Sequence, residues 1–174
     1  IGVGSLPAGP SVSFSLTVDS AGRLELLRSR VDFWTLLCSG SAVLDIRGLN
    51  SANKVEIGEI DCSSMGQISL KFVSVDVLAL RGSRTIPDTV TESDIGTLNL
   101  FDLRWVNLVG SRVASHLRTY NESQASVFTS LEIGSLELFG NSAVVIDSTS
   151  RGIGPFKLYQ QARLIVEGQT NAIE

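Results

Sequence analysis

The chain has 174 residues, of which 43% are apolar and 18% charged, with a formal net charge of −4. That is enough for one domain, or two small ones, around a real core, and the hydrophobicity excludes intrinsic disorder. The mild acidity leaves no electrostatic footprint for nucleic acid, and no apolar run reaches the roughly 18 residues that span a bilayer.

The sequence starts at Ile1 without Met or a signal-peptide pattern, as expected of a piece of a larger protein. Residues 1–11, IGVGSLPAGPS, are rich in Gly, Pro and Ser and predict an irregular lead-in. VSFSLTV (12–18) alternates cleanly and predicts a first strand shielding the open end of a stack. Six segments then share an L-x-L pair succeeded by a second apolar-x-apolar pair. They are GRLELLRSRVDF (22–33), AVLDIRGLNSANKVEI (42–57), GQISLKFVSVDVLAL (66–80), GTLNLFDLRWVNL (96–108), GSLELFGNSAVVI (134–146) and GPFKLYQQARLIV (154–166). Two longer intervals, 81–94 and 111–132, are expected to be loop insertions that leave one corner side by side. The tail QTNAIE (169–174) offers no evident cap.

Period-2 alternation means strands with one buried face. Paired strands on a base of about 20 residues predict one coil of a β-solenoid, each coil pairing in parallel with the next about 4.8 Å away. The expected fold is therefore all-β: a single-stranded right-handed parallel β-helix of about six to seven coils with two loop insertions. One inward ladder is expected at Leu24, Leu44, Ile68, Leu98, Leu136 and Phe156, which advance by 20, 24, 30, 38 and 20 residues. A second runs through Leu26, Ile46, Leu70, Leu100, Leu138 and Leu158. The other strand contributes Val31, Val55, Leu78, Val106, Val144 and Leu164, then Phe33, Ile57, Leu80, Leu108, Ile146 and Val166. The competing fold is an antiparallel β-sandwich. It is disfavoured because Asn-Gly and Asp-Gly turns are absent and the pairs repeat in order rather than mirroring.

Cys38 and Cys62 each lie six residues before an inward position, Leu44 and Ile68, and so stack on successive coils. That spacing suits either a disulfide or a stack of buried thiols.

The units GSLELFGNSAVVID and GTLNLFDLRWVNLVG resemble rungs of right-handed parallel β-helices, as in autotransporter passenger domains and filamentous-haemagglutinin-type adhesins. Leucine-rich solenoids of receptor ectodomains carry a similar pattern. The resemblance covers roughly residues 22–168. It implies an exported recognition or scaffold protein, extracellular or at the cell surface.

The expected surfaces supply the candidate contact residues. Arg84 and Asp88 lie in the first insertion; Arg118, Tyr120 and the only histidine, His116, lie in the second. Asn121-Glu122-Ser123 is the one N-glycosylation sequon. The outward faces carry Glu25, Asp45, Ser69, Asn99, Glu137 and Lys157 on one strand, and Asp32, Glu56, Ala79, Asn107, Val145 and Ile165 on the other. Val145 and Ile165 form either an apolar contact patch or a seat for the second insertion. Trp105 points outward by alternation, as a platform or packed against a loop. Arg23, Arg28 and Arg30 cluster near the first corner, where charge deters edge pairing.

Glu25 and Asp45 stack as neighbouring carboxylates, the spacing a retaining glycosidase uses. An enzyme acting on polysaccharides is thus the alternative from another class, and a self-associating stalk is a third. No nucleophile elbow, phosphate loop, dinucleotide fingerprint or zinc-ligand set is present. The expectation is a non-catalytic module without metal or cofactor that displays loops and one outer face to a protein or glycan ligand.

Overall fold

The computed structural model describes residues 14–19, 22–27, 33–64, 66–83, 86–130 and 132–167. Every regular element among them is a strand: β1 (Phe14–Val18), β2 (Arg23–Leu27), β3 (Phe33–Gly40), β4 (Val43–Arg47), β5 (Val55–Ser64), β6 (Ile68–Lys71), β7 (Val73–Leu80), β8 (Asp88–Thr91), β9 (Asp94–Leu100), β10 (Trp105–Val109), β11 (Arg112–Thr119), β12 (Gln124–Phe128), β13 (Glu132–Ile133), β14 (Leu136–Leu138), β15 (Ala143–Ile146), β16 (Phe156–Leu158) and β17 (Arg163–Val166). They alternate between two parallel sheets. One runs β1-β3-β5-β7-β9-β11-β14-β16, with β13 also paired to β11; the other runs β2-β4-β6-β8-β10-β12-β15-β17. The chain is thus a parallel β-solenoid of about 7 turns, and the antiparallel sandwich is excluded.

Register obeys the side-chain alternation. In the second sheet Leu26, Ile46, Leu70, Val90, Leu108, Val127, Ile146 and Val166 are consecutive ladder partners. In the first sheet the equivalent ladder is Leu16, Leu36, Ile60, Leu78, Leu98, Leu117, Leu136 and Phe156. The interior members are fully or nearly fully buried, and together they form one continuous core cluster. Each aliphatic side chain taken from water is worth roughly 1.5–3 kcal/mol, and identical positions fill identical space.

Two expectations about the coils are corrected. The predicted ladder Leu24–Leu44–Ile68–Leu98–Leu136–Phe156 joins two sheets: the first three residues lie on β2, β4 and β6, the last three on β9, β14 and β16. Its companions switch sheets at the same point. The intervals 81–94 and 111–132 are not insertions, because they contain β8, part of β9, β11 and β12 as ordinary coil legs. The physical reason is that these legs fill inward positions with polar or small residues. Asp88, Thr119 and Ala125 are all buried, so the apolar-x-apolar template passes over them. The longest coil is instead the one between Ile46 and its partner Leu70. It contains a tight turn in which Asn50 Oδ1 accepts hydrogen bonds from the amides of Ala52 (3.0 Å) and Asn53 (2.9 Å).

Corners carry their own ladders. Phe72, Glu92, Gly110 and Thr129 turn the chain out of the second sheet with φ of 55°, 48°, 57° and 50°. Left-handed backbone costs a non-glycine residue roughly 1–2 kcal/mol, so the residues just after each corner must hold it. Buried Ser93 and Ser111 do so: Ser93 Oγ accepts from the amide of Val73 (3.1 Å), and Ser111 Oγ accepts from the amide of Ser93 (3.2 Å). The strands of the first sheet bend midway, where backbones of successive coils come close. A Cβ on Gly134 would run into the carbonyl oxygens of Ala114 and Ser115.

Cys38 and Cys62 are direct ladder partners on β3 and β5. They are joined by a disulfide, with Cα atoms 4.5 Å apart. The lead-in 1–11, the tail 169–174, and Arg28, Arg30, Val31, Asp32 and Arg84 lie outside the described residues.

Candidate functional site: the flank of the last coils

Three successive coils present the same outward series where the first sheet ends. It runs Arg118-x-Tyr120-x-Glu122-x-Gln124, then Glu137-x-Phe139-x-Asn141-x-Ala143, then Lys157-x-Tyr159-x-Gln161-x-Arg163. Ladder pairing aligns Arg118 with Glu137 and Lys157, and Gln124 with Ala143 and Arg163. Equivalent residues of successive coils lie one above another, so the flank consists of parallel columns along the solenoid axis.

The first column alternates in charge. Arg118 Nε donates to Glu137 Oε2 at 2.8 Å, and Lys157 Nζ lies 3.8 Å from Glu137 Oε1. The hydrogen bond from Arg118, against some desolvation and with Lys157 beyond it, holds the Glu137 carboxyl below its usual pKa. His116 is half-buried beside this column, its Nδ1 2.7 Å from Ser135 Oγ.

The second column is aromatic. Phe101, Tyr120, Phe139 and Tyr159 stack with centroids 4.7, 4.9 and 4.6 Å apart and planes within 5° of parallel. The Arg81 guanidinium closes one end, 4.4 Å from the Phe101 centroid, while its Nε holds Asp61 at 3.2 Å. Coil spacing imposes the stack, and each pair adds roughly 0.5–1.5 kcal/mol beyond its buried area. Tyr159, at the other end, is 41% exposed.

The third and fourth columns border an open cleft of about 380 Å3, lined by Glu122, Asn141, Ala143, Gln161 and Arg163. Behind it the corner is rigid. Ser123 Oγ donates to the Tyr120 carbonyl (2.7 Å), and Thr119 Oγ1 donates to Ser142 Oγ (2.8 Å).

The sequence-predicted contacts divide. Arg118 and Tyr120 belong to this flank. Val145 and Ile165 are partners on the adjoining outer face of the second sheet. Val145 is half-buried and Ile165 is exposed. The second insertion does not cover them, because its residues are strands of the neighbouring coil and pair edge-on with β15. Asp88 is corrected: it is wholly buried and paired with Arg104, so it is a core residue rather than a surface contact. Ala79 faces outward between Asp61 and Asn99 yet is buried by them. Trp105 is half-buried and donates from Nε1 to Ser126 Oγ at 3.3 Å, while Trp34 is exposed on β3. Asn121 of the sequon sits exposed in a left-handed turn (φ 59°), its Nδ2 donating to Asp102 Oδ1 at 2.6 Å.

Glu25 and Asp45 are ladder neighbours as expected, but each is tied to an arginine on its own strand. Arg23 lies 3.1 Å from Glu25, and Arg47 lies 2.9 Å from Asp45. The hydrogen bond to Asp45 raises the Arg47 pKa further. Among the described residues no cluster of three metal-ligating side chains occurs.

Sequence reasoning missed the aromatic column and the cleft. The signal was present as an aromatic residue after the last inward residue of the first-sheet strand in four successive coils, in NLF, RTY, ELF and KLY. No protein-family model, curated protein or solved structure matches the chain, so the fold rests on the parallel ladders themselves.

Proposed function

We propose that this solenoid is a non-catalytic recognition module of an exported protein, whose contact surface is the flank of its last three coils. The observation that carries this reading is the aligned set of charged, aromatic and polar columns, in fixed register on a rigid repeat. The Cys38–Cys62 disulfide supports an oxidising setting, outside the cell or at its surface. Kinship with autotransporter and filamentous-haemagglutinin-type adhesins belongs to the same proposal, supported by the rung pattern.

The test is binding to arrays of extracellular-matrix proteins and glycans, alongside a turnover assay on acidic and neutral polysaccharides. Binding lost in Tyr120→Ala and Arg118→Glu, but kept in Glu25→Gln, supports the reading. Polysaccharide cleavage abolished by Glu25→Gln overturns it in favour of the enzyme.

A second reading, self-association, is favoured by the last coil, where Phe156, Leu158, Ile165 and Val166 are exposed. Sedimentation velocity of wild type, Val145→Asp and Val166→Asp decides it: a concentration-dependent oligomer lost in the variants establishes the stalk.

A further inference from the structure

The cleft differs from the rest of the flank in one respect. Arg118, Glu137 and Lys157 are paired with one another, Arg81 with Asp61, and Arg112 with Glu132. Among the described residues, the side chains of Glu122, Asn141, Gln161 and Arg163 make no hydrogen bond or ion pair, although they line one concavity. Along the axis stand Glu122, a carboxylate that only accepts, then Asn141 and Gln161, carboxamides that both donate and accept; Arg163, a guanidinium that only donates, stands beside Gln161 on the last coil. The methyl of Ala143 forms the apolar part of the floor. Successive coils stand about 4.8 Å apart, so an extended ligand lying along the axis meets a polar group on each of three coils, and two on the last.

Two observations select the ligand chemistry. The backbone beneath the cleft is already committed: the amides of Gln124, Ala143 and Arg163 donate to the carbonyls of Arg104, Ser123 and Ser142. A peptide strand therefore finds no free edge to join along the cleft, whereas hydroxyl groups match the carboxamides. Next to Gln161 in its coil, Tyr159 ends the aromatic stack, exposed and with one ring face not stacked on another ring.

We infer that this cleft binds an acidic oligosaccharide laid along the solenoid axis. Its hydroxyls bridge Glu122, Asn141 and Gln161, its carboxylate pairs with Arg163, and one sugar ring rests on Tyr159. The inference rests on the recognition reading and gives it a ligand class.

The experiment is isothermal titration of the full chain with tetragalacturonate and with neutral cellotetraose. Wild type is expected to bind the acidic tetramer at least tenfold more tightly than the neutral one. Arg163→Gln removes that preference while leaving weak binding of both. Asn141→Ala and Gln161→Ala each weaken the acidic tetramer tenfold or more, and Tyr159→Ala weakens both. Lys157→Gln, outside the cleft, changes affinity less than threefold; a larger loss there means non-specific charge attraction and overturns the inference. So does absence of binding by a folded wild type, or unchanged affinity in Asn141→Ala and Gln161→Ala proteins with native circular dichroism. A chain that captures a matrix protein through Tyr120 but neither tetramer keeps the recognition reading and loses this one.

Discussion

Arg104 and Asp88 meet inside the solenoid, Nε to Oδ2 at 2.5 Å, with both side chains wholly shielded from water. The pair draws three neighbouring coils together. Asp88 Oδ1 accepts from the amide of Ile68 (2.9 Å), Arg104 Nη1 donates to the Arg81 carbonyl (3.3 Å), and Nη2 reaches the Gly66 carbonyl (3.5 Å). Arg104 stands where later coils carry Ser123 and Ser142, so its side chain occupies room that those coils fill otherwise.

Removing one partner should hurt more than removing both. Asp88→Leu leaves an uncompensated buried guanidinium and is expected to cost about 3–5 kcal/mol. Asp88→Leu with Arg104→Met removes the stranded charge and should be less destabilised than Asp88→Leu alone, although it leaves the Ile68 amide and the Arg81 and Gly66 carbonyls without these partners. Urea denaturation of the two variants checks this; equal losses would show that the two side chains are not coupled.

The aromatic stack should respond by position. Tyr120→Ala removes two ring contacts, whereas Tyr159→Ala removes one. The expected losses are about 1–3 kcal/mol for Tyr120 and half that for Tyr159. Thermal unfolding measures both, and the order of the two is the point at issue.

Cleavage of the disulfide should loosen the N-terminal coils. Cys38 and Cys62 are 24 residues apart in sequence, and a loop of that length is worth about 3 kcal/mol in the chain-entropy model. Reduction, or the Cys38→Ala/Cys62→Ala pair, is expected to lower the melting temperature. Alkylation of the unfolded, unreduced chain should label no thiol.

Acid should weaken the corner at Asp147. Burial pushes this carboxyl up, but hydrogen bonds from the Ser150 and Thr149 hydroxyls and from the Thr129 and Ser150 amides outweigh it, so its pKa lies below the usual value. A depressed folded pKa contributes stability above the unfolded value, near 4, and loses it as pH falls through the folded one. The urea midpoint of wild type should therefore decline below about pH 4. Asp147→Asn should start lower and decline less over the same range.

Much of the fold was legible because a stacked coil needs aliphatic alternation. Leu44, Leu70, Leu98, Leu136 and Val144 were all placed inward, and all are buried. Coil phase was not legible. The leg at Asp88 uses an ion pair, and the leg beginning at Gln124 uses Ala125, to fill a position that leucine fills elsewhere. Without those legs, one and a half coils look like one coil plus a loop. The flank was half visible: Arg118 and Tyr120 stood out by residue type, but Glu122, Asn141 and Gln161 acquire meaning only once three coils are aligned.

Solenoid coils lean only on their neighbours, and here the two ends of the core are unequal. Phe156, Leu158 and Val166 occupy inward positions yet face water, while the middle coils are bound together by Asp88 and Arg104. Amide-exchange protection should therefore climb as a gradient from β17 back towards β10, with fraying arrested at the buried pair. The cleft lies on the part of the molecule that opens first, so a ligand spanning Glu122 to Arg163 would act as a staple, slowing exchange in the very coils it touches.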